Sequence, residues 1–305
     1  MPMPNEVRPI RSSARGGLLW PAMFYSGVLD ARCNVFVYTP PGVGRKGRAL
    51  ARLPVLYLLH GMWGSEIDWP FKGNVQAIMD REILAGRVPP MLVAMPHDGL
   101  ANHGTFYSNW YDALAGKAGR GGHKLAAGQS GPRRRFEDYI LSDLRKFVEV
   151  DLADAMRPRS RRLIAGLSMG GFGTLALSLR NPELFLAAAS LSGATRPIGD
   201  WRHTELGQRI FGPLSSDPAS HRRRHDPAVL VADPARGRAV SLYLDCGRSD
   251  FLLAMNRKLH GRLNRLGIDH AYHEYSGGHD WPSWRKRLPH VLRFMARQMS
   301  AARAG

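Results

Sequence analysis

"LIAGLSMGGFGTLAL", residues Leu163 to Leu177, joins an apolar run to a string of small and apolar residues, with one hydroxyl set between two glycines. The run Arg161 to Ser168 has the length of a strand buried on both faces. Gly170 to Leu179 reads as a helix, and Asn181-Pro182 ends it. Ser168 therefore stands at a strand-to-helix turn, inside Gly166-x-Ser168-x-Gly170. A nucleophile there needs a tight, strained turn that lifts its oxygen clear of the sheet, and such close backbone approach calls for glycine on either side. The helix that follows aims its first amides at the same point, where negative charge would develop. A glycine-rich turn without chemistry could use the same letters; the strand before and the helix after favour the nucleophile.

Outward from this stretch the same rhythm recurs. Strand-length apolar runs span Asn34 to Gly42, Pro54 to Gly61, Pro89 to Pro96, Leu184 to Ser192 and Ala239 to Gly247, with a more polar one at His270 to Gly278. Helix patterns lie between and after them at Asn74 to Ala85, Phe136 to Leu152, Phe251 to Leu266 and Trp284 to Ala302. In Phe136 to Leu152 an apolar stripe of Tyr139, Ile140, Leu144, Phe147 and Val148 falls at three- and four-residue spacing. The alternation predicts an α/β fold with a mostly parallel central sheet and helices on both faces. Two segments, at about 116–135 and 194–238, are longer than ordinary connections and read as insertions near a functional face. No repeat or linker divides the chain, so residues 1–305 read as a single domain.

Composition narrows the classes. The 305 residues are 44% hydrophobic and 22% charged, as in an ordinary globular protein. Two cysteines, Cys33 and Cys246, make no disulfide framework, and the first thirty residues lack a secretory pattern. A cytoplasmic location is expected, with no membrane span, because no apolar run is long enough. The net charge of +18 gathers at Arg133–Arg135, Arg157–Arg162 and Arg222–Arg224. Such charge suits nucleic acid, anionic surfaces or acidic substrates. No recognised nucleic-acid motif accompanies it, and a solvated basic surface is the plainer expectation.

A serine hydroxyl needs a base. Of the twelve histidines, His279 in "SGGHDWPSW" follows the last strand and two glycines that let a loop bend back over the sheet. His273 lies inside that strand and His290 inside a helix. In chains that present a serine this way, the orienting acid falls between serine and histidine. "LYLDCGRSDFLL" offers Asp245, still in the strand, and Asp250, on the loop beyond Gly247. Asp250 is preferred because ligands meet open α/β sheets at the carboxyl ends of strands. Asp280 adjoins His279 in sequence, where side chains seldom face each other. The oxyanion donors expected are the amides of Met169, after the nucleophile, and of Met62 in "LLHGMWG" (Leu58 to Gly64). His60 props that loop; no partner stands at metal-ligand spacing, so no metal is expected.

Six motifs in register, "YLLHGMWG", "MPHDG", "FEDYILSDL", "GLSMGGFG", "DCGRSD" and "GGHDWPSWR", resemble the putative-esterase family of α/β-hydrolases over about Ser26 to Arg297. That family includes S-formylglutathione hydrolases, feruloyl-esterase domains, enterochelin esterases and antigen 85-type mycolyltransferases. The resemblance implies an α/β-hydrolase fold and a serine carboxylic-ester hydrolase working through an acyl-enzyme, with no cofactor. It implies Ser168 as nucleophile, Asp250 as acid, His279 as base, and Met62 and Met169 as oxyanion donors. The partner implied is a small-molecule ester, and a basic site mouth would suit an anionic one. Two departures lie near that mouth: Met95-Pro96-His97-Asp98-Gly99 is one residue longer than many members have, and the 116–135 segment is unusually basic. Trp63, Trp110, Tyr111 and Trp281 are candidates to line the pocket, or equally to pack the core or rim. The same triad would serve an acyltransferase with an alcohol acceptor. A non-catalytic or anionic-surface-binding protein on this scaffold is the remaining alternative.

Overall fold

Apolar side chains at alternate positions of one strand can be buried on opposite faces only if both faces are covered. In β4 (Val55–Leu59), Val55, Tyr57 and Leu59 enter one core while Leu56 and Leu58 enter the other. The computed structural model describes residues 10–11, 15–98, 104–111, 134–195, 204–212 and 223–304. Its nine strands form one sheet in the order β1-β2-β3-β5-β4-β6-β7-β8-β9. The remaining strands are β1 (Ile10–Arg11), β2 (Leu18–Ser26), β3 (Ala31–Thr39), β5 (Leu92–Pro96), β6 (Arg162–Leu167), β7 (Ala187–Leu191), β8 (Ser241–Gly247) and β9 (His270–Tyr275). From β5 across to β9 every pairing is parallel, and the first three strands add an antiparallel edge.

Four helices frame the site: α1 (Val75–Leu84), α2 (Met169–Arg180), α3 (Leu253–Arg265) and α4 (Trp281–Ala304). Helices α1 and α4 cover one face through Ile78, Met79, Leu288, Val291 and Met295. On the other face lie α2, α3 and the helical stretch from Phe136 to Asp151. That stretch carries the predicted stripe, but much of it is wound with wider turns than an α-helix. Among the described residues no helix is long and apolar enough to cross a membrane.

Three features depart from the sequence reading. The hairpin β2–β3 extends the sheet further than expected. Pro21 disguises β2, yet it is tolerated because β1 reaches only Leu18 and Leu19, so Pro21 needs no partner on that side. Two arginines of the cluster Arg157–Arg162 leave the solvated surface. Arg162 is buried and forks onto Glu149 at 2.7 and 3.0 Å, while Arg157 is buried on the carbonyls of Leu53 and Leu50 at 2.8 and 2.7 Å. Arg162 ties the entry of β6 to the helical stretch, Arg157 ties it to the segment before β4, and these partners offset the cost of burying both cations. The 194–238 segment contributes to the core where it is described: Phe211 packs edge-on to Phe106 and Phe172. Residues 112–133, with most of the 116–135 insertion and Arg133, lie outside the described residues, as do Gly99 and Arg222.

Glu82 links the two helices on one face. Its buried carboxylate accepts from Arg87 Nε at 2.8 Å and, across to α4, from Arg293 Nε at 2.9 Å. Hydrogen bonding from Arg87 leads in holding its pKa down from 4.5 to about 2, against burial and with help from Arg293. A carboxylate depressed in the folded state stabilises above its unfolded pKa and loses that contribution as protons bind. Stability is therefore expected to fall between about pH 4.5 and pH 2. Glu82→Gln should lower Tm at pH 7 by a few degrees, roughly the effect of a typical point mutant. It should also flatten the acid limb in pH-dependent thermal melts.

Candidate active site

The chain leaves β4 toward β5 on one side and returns to β6 on the other, so the carboxyl ends of β4 and β6 form a switch point where loops diverge. Ser168 follows β6 there with φ 54° and ψ −118°, a strained conformation for a non-glycine residue. Its backbone is fastened on both sides: its N–H donates to Leu191 O at 3.0 Å, and its C=O accepts from Ala194 N at 3.0 Å. Gly170 is dictated by packing. A Cβ there would lie 2.5 Å from Leu59 O and 2.6 Å from His60 O. That close approach seats the first turn of α2 on the end of β4.

The loop after β4 is folded by its own groups. Gly61 O accepts from Gly64 N at 3.2 Å and from His60 Nδ1 at 2.7 Å. A carbonyl only accepts, so His60 carries its proton on Nδ1. Burial lowers its pKa, which keeps the ring neutral. Gly61 and Met62 then border Ser168 in one cavity. Met169 is the first residue of α2, where amides have no partner within the helix.

His279 arrives from the loop after β9. Gly277 adopts φ 123°, and its carbonyl accepts from Ser249 N at 3.0 Å, which locks this loop to the one after β8. The His279 Nε2 lies 2.9 Å from Ser168 Oγ, and Nδ1 lies 3.0 and 3.1 Å from the two oxygens of Asp250. Asp250 Oδ1 also accepts from Leu252 N at 2.8 Å. Burial alone would raise the Asp250 pKa, but hydrogen bonds from His279, Ser192 and Leu252 outweigh it and hold the carboxyl below its usual range. Asp245 points elsewhere: it is buried beside Arg287, with Nε at 3.3 Å from Oδ1. Asp280 accepts from Ser283 N at 2.8 Å in the first turn of α4.

A cavity of about 490 Å³ opens over Ser168 and His279. Trp63 and Trp281, both candidates from the sequence, line it. Trp63 is 79% exposed at the mouth. Trp110 and Tyr111 are not among the described residues that line the cavity, and Trp110 takes the core-packing alternative. Trp110 is 2% exposed, donates from Nε1 to Thr105 O at 3.2 Å, and packs its ring on Phe136 and under the guanidiniums of Arg134 and Arg209. The sequence reading missed Phe251, Met255 and Phe106, which share the wall. Phe251 fell inside a predicted helix, but α3 begins only at Leu253. This leaves Phe251 on the turn, 77% exposed, with its ring 4.6 Å from that of His279. Asp68 and Lys72, an ion pair at 2.9 Å, add the charged part of the wall.

Fold and strand order define an α/β-hydrolase. A family model described as "Putative esterase" matches residues 26–295, and the chain belongs to that family. It is 26% identical over 288 residues to an acetyl esterase of Caldicellulosiruptor saccharolyticus, covering 90% of this chain and 96% of the relative. It is 32% identical over 187 residues to an endo-1,4-beta-xylanase/feruloyl esterase of Xylanibacter ruminicola, covering 61% of this chain and 23% of that protein. Among solved structures, a ferulic acid esterase superposes with a TM-score of 0.74 at 24% identity, covering 93% of this chain and 99% of that one. An S-formylglutathione hydrolase from Agrobacterium tumefaciens gives 0.71 at 20%, covering 96% and 100%. The chain is a carboxylic ester hydrolase.

Proposed function

We propose that Ser168, His279 and Asp250 form the catalytic triad of a two-step ester hydrolysis. The observation that carries this reading is the unbroken line of contacts, Ser168 Oγ to His279 Nε2 at 2.9 Å and Nδ1 to Asp250 at 3.0 Å. His279 takes the Ser168 proton as the oxygen attacks the ester carbonyl, forming a C–O bond and a tetrahedral oxyanion. Asp250 holds the imidazole with Nδ1 protonated and stabilises the cation that forms. The amides of Met62 and Met169 receive the oxyanion, each worth roughly 3 kcal/mol of barrier. His279 then delivers the proton to the leaving alcohol as the ester C–O bond breaks. Water attacks the acyl-enzyme by the same route in reverse, releasing acid and free Ser168.

The cavity wall bears on the substrate. Trp63, Phe251, Trp281, Met62 and Met255 surround the reacting oxygen with apolar and aromatic surface. An apolar or aromatic acyl group of modest size fits that lining, as pockets of this kind bind mostly by apolar contact. The names of the relatives, acetyl esterase and feruloyl esterase, lie within that range.

The test is covalent. A fluorophosphonate should label the wild-type chain at one site, with the mass shift on the peptide carrying Ser168. Labelling elsewhere, or none, would remove the nucleophile from this reading. Adding methanol or glycerol to an ester assay then separates hydrolysis from transfer: free acid as the dominant product is the expected outcome.

A further inference from the structure

The loop that carries Met62 is braced by side chains that the proposed chemistry does not use. Three successive carbonyls each accept from a buried side chain: Leu59 O from Trp69 Nε1 at 2.9 Å, His60 O from the Tyr107 hydroxyl at 3.1 Å, and Gly61 O from His60 Nδ1 at 2.7 Å. A trans peptide is planar, and its N–H points opposite its C=O. Holding these carbonyls therefore fixes the directions of the amides of His60, Gly61 and Met62. The loop lies against the nucleophile: a Cβ on Gly61 would stand 3.4 Å from Ser168 Cβ.

Tyr107 reaches His60 O from a strained turn. Phe106 and Tyr107 have φ 51° and 50°, in the left-handed region, and Ser108 N closes the turn on Thr105 O at 3.4 Å. A turn with two left-handed central residues ordinarily holds Asn, Asp or Gly there. Two aromatics persist in those places only because their surroundings over-determine them. Asp98 Oδ2 accepts from Thr105 N at 3.1 Å, Thr105 Oγ1 from Tyr107 N at 3.1 Å, and Thr105 O from Trp110 Nε1 at 3.2 Å. The Tyr107 ring lies so close to α2 that a Cβ on Gly173 would be 2.6 Å from it. Just before the turn, Gly104 has φ 70°, and a Cβ there would meet the Met169 and Met62 side chains at 2.9 and 3.1 Å. The segment Gly104 to Tyr107 thus packs on both residues whose amides are assigned to the oxyanion. Burial keeps the Tyr107 phenol well above its ordinary pKa, so it stays protonated and donates.

We propose that Tyr107 and Trp69 are positioning residues of the esterase: they hold the His60 and Leu59 carbonyls so that the Met62 amide faces the oxyanion formed at Ser168. This rests on the triad and oxyanion reading above. A purely structural pair would add stability and leave the transition state untouched.

Tyr107→Phe separates these roles, because it removes one hydroxyl and keeps the ring on Gly173. Deleting an oxyanion donor outright costs about 10²- to 10³-fold, so loosening one should lower kcat for a short-chain p-nitrophenyl ester roughly tenfold. KM should stay within about twofold of wild type, since the interaction weakened is made only in the transition state. A trifluoromethyl ketone binds as an oxyanion adduct of the nucleophile, so its inhibition constant should rise by the same factor as kcat falls. Trp69→Phe, which removes the donor to the neighbouring carbonyl, should reproduce both changes and decides the matter if Tyr107→Phe does not fold. In a folded variant, wild-type kcat overturns the proposal, and so does a fall in kcat with the ketone's affinity unmoved. Wild-type labelling at Ser168 beside an indifferent Tyr107→Phe would defeat this proposal alone. Absence of labelling at Ser168 in the wild type would defeat the triad reading first.

Discussion

Replacing Ser168 with alanine should lower kcat toward a short-chain ester by about 10⁴- to 10⁶-fold, the range seen when a serine nucleophile is removed. Only the hydroxyl is lost. The turn that carries Ser168 is held by backbone bonds to Leu191 and Ala194, and alanine keeps them. The amides of Met62 and Met169 and the apolar cavity remain, so KM should change little and a residual rate above that in water should persist. Circular dichroism and Tm close to wild type would show that the loss is chemical. Activity within tenfold of wild type, measured on protein freed of contaminating esterases, would remove Ser168 from the mechanism.

Asp250→Asn should cost about 10⁴-fold in kcat, by a different physical route. The carboxylate accepts from His279 Nδ1 at 3.0 and 3.1 Å and from Leu252 N at 2.8 Å. An amide of the same shape can present its NH₂ to Nδ1 and favour the opposite tautomer. The His279 Nε2 would then carry a proton and could not take one from Ser168, 2.9 Å away. The imidazolium formed during attack would also lose its counter-charge. Saturation kinetics with the NMR resonance of the Nδ1 proton check both points. A loss below tenfold would mean that Asp250 is not the orienting acid. Asp245→Asn offers the contrast, because its carboxyl faces Arg287 and Tyr243 rather than His279.

The two carboxylates show how far a linear reading reaches. Asp245 and Asp250 are five positions apart in one stretch, and both stand at the end of an apolar strand. The end of β8 at Gly247 separates them. Inside the strand a side chain is committed to one face of the sheet, and Asp245 meets α4 there. Beyond Gly247 the backbone is free to turn, and Asp250 meets His279. For the aromatics no such rule existed. Trp63 and Trp110 both fall between strand-length runs, yet one stands at the cavity mouth and the other is sealed under Phe136 and two arginines. Phe251 was hidden by a helix pattern that begins two residues too early in the sequence.

Features that depend on neighbouring residues are legible along the chain. A hydroxyl between two glycines at a strand-to-helix turn, continuous apolar runs that require cover on both faces, and a histidine after paired glycines are all local statements about backbone freedom and burial. The three-dimensional packing set the features that join residues distant in the chain. It selected which walls enclose Ser168, turned Arg162 inward onto Glu149, and set Arg287 of α4 against Ser192 after β7. These pairings follow from the crossing of elements around the sheet, and the energy that fixes them is shared among contacts no single stretch of sequence contains.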